Sequence, residues 1–178
     1  MTELLKLIAL GILMALMQGV AIEIASLLSF SAYPDLVLVF ALAMGLRQPG
    51  LGGLVLAFAA GFLIDAGASP SQPGLYALLR GTACALTHVF DRALYLRAGL
   101  PWALYVGAYV VVDGILLGLV THYLVDDAAV SWDAIIRRTP GIAVLTAICA
   151  APLLGMFRRL DSGGGYETAW GLLGSRTR

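Results

Sequence analysis

Apolar residues fall along the chain in six runs, separated by short polar or turn-forming breaks: Leu4–Leu28, Pro34–Leu46, Leu51–Ala66, Gly74–Phe90, Pro101–Leu124 and Thr139–Phe157. Runs of this kind are expected to be membrane helices. They make up one transmembrane domain over residues 1–160, followed by a short tail, 161–178. The breaks are chemically explicit. Ser-Ala-Tyr-Pro-Asp at 31–35, Arg-Gln-Pro-Gly at 47–50 and Ser-Pro-Ser-Gln-Pro-Gly at 69–74 are turn signals. The stretches 91–100 and 126–138 supply polar loops. Pro34, Pro101 and Pro140 each stand near the start of a run, where a missing N–H costs least. Pro152 lies inside the sixth run, where membrane neighbours can satisfy the freed carbonyl. The second run is short: thirteen residues reach about 20 Å, against a hydrocarbon core of about 30 Å.

Composition turns this pattern into a solvent requirement. Of the 178 residues, 60% are apolar and 12% charged, too little polar material to cover a water-facing globule, so lipid is the expected solvent. Lys6 ahead of an apolar run resembles a secretory signal. The run is long enough to span, however, and further spans follow, so it reads as a retained first helix. Cys84 and Cys149 lie inside apolar runs without CxxC spacing and read as small buried hydrophobes.

Net charge is zero and offers no pointer to nucleic acid; the placement of charge is informative. With the N-terminus inside, the cytoplasmic side holds eight basic residues (Lys6, Arg47, Arg92, Arg97, Arg158, Arg159, Arg176 and Arg178). The outer side holds two, Arg137 and Arg138, so the positive-inside rule places both termini in the cytoplasm. The Ser-Gly-Gly-Gly at 162–165 makes the tail a flexible linker ahead of Tyr166 and Trp170.

Four charges fall inside the runs: Glu23, Asp65, Arg80 and Asp113, all at the midplane or in the outer half of this topology. Each is costly at depth, about 2.5–3.5 kcal/mol for Arg or Asp at a helix centre. Arg80 is the one base among them, so Asp113 or Asp65 is expected to pair with it. Such a pair either fixes helix register or forms a ligand or proton site open to the outside. Gly53, Ala57, Gly61 and Asp65 share one helix face; Gly114 and Gly118 form a second small-residue pair. Either face lets a helix approach closely, from within the chain or from a partner. Tyr105, Tyr109 and Asp113 share a face, as do Arg80, Cys84 and His88.

No catalytic, cofactor or metal motif appears, and His88 and His122 fall near opposite membrane faces. Asp126-Asp127 reads as a solvated turn.

The order Pro34-Asp35, Arg47, Gly52-Gly53, Gly61-Phe-Leu-Ile-Asp65 and Gly74-Leu-Tyr76-Ala-Leu resembles the rod shape-determining protein MreD family over about residues 34–90. The resemblance implies a non-enzymatic inner-membrane scaffold of bacterial cell-wall elongation. Members of that family bind MreC and act with MreB and the RodA polymerase with its transpeptidase partner. Their fold is similar to the substrate-binding subunits of energy-coupling-factor transporters. The matching positions Pro34, Asp35, Arg47, Asp65, Gly74 and Tyr76 carry no catalytic or cofactor role. A second reading is a small-ligand, vitamin-like binding subunit with an outward pocket around Arg80, Asp65 and Asp113.

Overall fold

A computed structural model describes residues 2–30, 32–48, 50–67, 74–94, 96, 99–124 and 132–161. They form six α-helices: α1 (Thr2–Leu27), α2 (Leu36–Arg47), α3 (Leu51–Gly67), α4 (Leu75–Leu94), α5 (Gly99–Leu124) and α6 (Trp132–Asp161). Three stretches, Leu4–Leu27, Gly99–Tyr123 and Trp132–Phe157, are long and apolar enough to cross a membrane, and α2 and α3 are shorter apolar helices. Apart from Lys6 and Glu23, the large side chains that α1 leaves exposed are apolar, among them Leu5, Ile12, Leu16, Val20 and Leu27, as suits a surface against lipid. This is a helical protein built for a membrane.

The short second run becomes the centre of the molecule. Val37 through Gly45 of α2 are all buried, and α2 packs against each of the other five helices. A helix apolar all round belongs in a core, and here neighbouring helices rather than lipid surround it. The other extensive pairs are α3 with α4 and α5 with α6. Close approach depends on glycine at two crossings. A Cβ on Gly45 would collide with the Cys84 carbonyl of α4, and one on Gly61 would stand 2.5 Å from the Tyr76 carbonyl oxygen.

Helix ends differ from expectation at α6. Residues 132–138, expected in a polar loop, form its first two turns, so Pro140 is inside the helix rather than at its start. The exposed Arg137–Asp133 pair, one turn apart at 3.0 Å, suits a helical start outside the apolar belt. The C-terminus of α1 closes with a double cap: the Phe30 N–H donates to the Ala25 carbonyl and the Ser29 N–H to the Ser26 carbonyl. Ser29 takes the left-handed conformation (φ 55°) that this cap requires and glycine usually supplies. The 126–127 pair and the tail from 162 lie outside the described residues.

Candidate functional site

The polar chemistry of the bundle converges on the first turn of α2. A helix start leaves N–H groups without partners, and in a low-dielectric surround each must be satisfied. Asp35, the N-cap of α2, accepts from the Leu38 N–H at 2.8 Å through Oδ1. Gln18 of α1 reaches across, and its Oε1 accepts from the Val37 N–H at 2.9 Å. The Asp35 N–H donates to Thr146 Oγ1 of α6 at 2.9 Å.

Asp35 also holds a second partner. Its Oδ2 accepts from Arg80 Nη2 at 2.6 Å, while Arg80 Nη1 donates to both oxygens of Asp113 at 3.0 Å. The Arg80 side chain is 1% exposed, those of Asp35 and Asp113 13% and 10%. The Tyr76 ring lies 5.8 Å from the guanidinium and adds a cation–π contact. Two carboxylates face one guanidinium; the N-terminal end of the α2 dipole supplies further positive potential beside Asp35. The guanidinium thus ties α4 to α5 and to the start of α2.

Asp65 was the other expected partner of Arg80, and the structure places it elsewhere. Its two oxygens accept from the Tyr76 and Ala77 N–H groups, at 3.1 and 2.9 Å, so it caps α4 from the end of α3. Its position near both helix ends makes that cap the nearer demand on its charge. Gly74, with φ +95°, supplies the turn that brings the two helices together. Glu23 is also apart from the cluster, exposed on α1. An outward pocket shared by Arg80, Asp65 and Asp113 is therefore not what these side chains form.

Both small-residue faces are occupied within the chain. A Cβ on Gly53 would collide with the Gln48 carbonyl, Ala57 is fully buried, and Gly61 lies against the first turn of α4. Gly114 faces Thr139 and Gly118 faces the Trp132 ring, both on α6. These contacts fill the faces that were candidates for a partner helix. Of the remaining motif positions, Arg47 stacks over the Phe157 ring at 5.7 Å, and Pro34 precedes the α2 cap.

Sequence reasoning missed Asp35 as an ion-pair member, and with it Gln18 and Thr146. The available signal was the length of the second run. A helix of 12 residues rises about 18 Å, too short to reach both faces of a core of about 30 Å, so a capping residue at its start is as much a candidate partner for Arg80 as a residue inside a span. Uncharged Gln18 and Thr146 carried no comparable cue.

The arrangement holds helices to one another. Arg80 cannot act as an acid or base at ordinary pH, and its terminal nitrogens are engaged. Among the described residues, no group of three His, Cys, Asp or Glu is placed to hold a metal ion. A cleft of about 550 Å³ lies apart from the charge cluster, between α1, α2 and α3, where Leu7, Gly11, Phe40, Leu56, Ala60 and Phe62 line it. Compared with models of protein families, with curated proteins and with solved structures, the chain matches none.

Proposed function

We propose that this chain is a non-enzymatic scaffold of the MreD type, a six-span protein of the bacterial inner membrane with both termini in the cytoplasm. In this reading it binds MreC and links MreB to the RodA polymerase and its transpeptidase partner, and its fold follows the substrate-binding subunits of energy-coupling-factor transporters. One observation carries the reading: the buried charges of the bundle are spent on holding helices, three of them on one another and a fourth on a helix end. Arg80, Asp113 and Asp35 close a buried cluster, and Asp65 caps a helix. Intramembrane ionisable groups ordinarily mark transport or catalysis; here their hydrogen bonds fix helix positions, as a scaffold needs. The motif order Pro34-Asp35, Gly61 to Asp65 and Gly74 to Tyr76 supports the same reading, because those residues build the two caps and the α3–α4 crossing.

The vitamin-binding alternative draws less support. Such a ligand needs convergent polar groups in a cavity, whereas the 550 Å³ cleft is lined by apolar residues and the terminal nitrogens of Arg80 are engaged by Asp113 and Asp35. Depletion of the protein in the rod-shaped bacterium that encodes it tests the proposal. Cells should widen and round while continuing to grow in mass. Unchanged shape, with loss of growth that an added vitamin restores, would overturn it.

A further inference from the structure

The six helices fall into two packed units. In the first, α2, α3 and α4 lock together where Gly45 meets the Cys84 backbone and Gly61 the Tyr76 backbone, and α1 is seated on α2 and α3. In the second, α5 and α6 form a hairpin clasped along its length. Gly118 lies against Trp132 and Gly114 against Thr139 towards one end; towards the other, Trp102 Nε1 donates to the Ala150 carbonyl at 3.1 Å. Among the described residues, neither α1 nor α3 touches this hairpin, and α4 touches only its α5 arm.

The hairpin meets the first unit at two places of different character. On α2 it is held at both ends of the helix. The Asp35 N–H at the start donates to Thr146 at 2.9 Å, and Arg47 at the end lies over the Phe157 ring, which also packs 6.1 Å from the ring of Phe40. On α4 the meeting is brief and its ties are polar. Arg80 holds Asp113, and Thr87 Oγ1 lies 3.0 Å from the Tyr105 hydroxyl. No glycine draws the α4 and α5 backbones together: Gly81 faces side chains of α3, and Gly107 faces α6. In lipid an apolar helix face that leaves another loses little, because hydrocarbon tails replace what it touched. The closed α4–α5 seam therefore depends on its two polar ties, whereas the α3–α4 and α2–α4 crossings rest on backbone contact.

We propose that the α5–α6 hairpin swings as one body about α2, and that the α4–α5 seam, latched by Arg80–Asp113 and Thr87–Tyr105, opens sideways to lipid. Helix α2 is the axle, since it is fixed at the centre of the first unit and grips α6 at both ends. Such a motion is a hinge between two rigid packings, with the latches setting how often the second is visited.

Distances between paired spin labels on the full-length protein in liposomes test this, with Cys84 and Cys149 replaced by alanine. One pair spans the seam, Leu86→Cys with Leu104→Cys. Control pairs lie within each unit, Val55→Cys with Leu86→Cys and Leu104→Cys with Ile148→Cys; all four positions are exposed. The seam pair should show two distances and each control pair one. Asp113→Asn turns a charged tie into a neutral one and should raise the share of the longer seam distance about threefold, the worth of one hydrogen bond between membrane helices, with the controls unchanged. Tyr105→Phe removes only the Thr87 tie, should shift the seam pair the same way, and serves as the mild variant if Asp113→Asn does not fold. A seam distance that stays single in every protein overturns the proposal, as does broadening of the control pairs equal to that of the seam pair. No partner enters the measurement, so its failure leaves the scaffold reading untouched.

Discussion

Arg80 carries the largest energetic stake of any single residue. It is fully buried and holds two carboxylates that have little access to water. Replacing it with leucine strands both acids and should cost about 3–5 kcal/mol, the range for breaking a buried pair from one side. Replacing all three together, Arg80→Met, Asp113→Leu and Asp35→Asn, removes the stranded charge while Asn keeps the cap to the Leu38 N–H. The triple variant should therefore melt in detergent well above the single one; equal melting would contradict the cluster as drawn. Asp65 gives a smaller effect of a different kind. Asp65→Ala uncaps α4 and should cost about 1 kcal/mol, with Asp65→Asn retaining part of it. A loss as large as that of Arg80→Leu would mean that Asp65 carries the ion pair after all. The Arg80–Asp113 bond could be anticipated from depth alone. The Asp35 bond could not be found by searching only inside spans, because Asp35 sits at a helix start.

At the scale of elements, hydrophobic runs located all six helices, and their ends were legible to within a turn except at α6 and at the end of α4, which runs on to Leu94 through residues expected in a loop. Polarity marks where water begins, not where a helix stops. Residues 132–138 are polar enough for a loop, yet Trp132 has an apolar seat on Gly118, and the Asp133–Arg137 pair supports the turn. The role of α2 was also hidden, since a uniformly apolar run looks alike against lipid and against protein. Glycine contacts now rank the helix crossings. At Gly61 the obstacle is the backbone of α4, which cannot move aside; at Gly118 it is the far edge of the Trp132 ring, which can. Gly61→Ala should thus destabilise the protein more than Gly118→Ala, both being read as the loss of thermal midpoint in detergent. Equal losses would argue against backbone contact at the α3–α4 crossing. Both variants should still insert, because alanine costs no more than glycine in lipid.

For the whole molecule, composition was sufficient to demand a membrane, and the buried polar layer explains how six helices of unequal length share one bundle. Gln18, Asp35, Arg80, Asp113 and Thr146 bring one polar group each from α1, α4, α5, α6 and the α2 cap to that layer, and Asp65 ties α3 to α4 separately. The proposed function rests on motif resemblance, because the sequence holds no catalytic spacing to read. Orientation is a consequence of the arginines, and reporters fused after Arg178 and within 126–131 should lie on opposite sides of the membrane. The most direct test of the scaffold account is capture of the tagged full-length protein from gently solubilised membranes, read by mass spectrometry against an untagged control. The account predicts enrichment of MreC together with RodA or its transpeptidase partner. Capture of none of these, with the energising subunits of an importer recovered in their place, would contradict it.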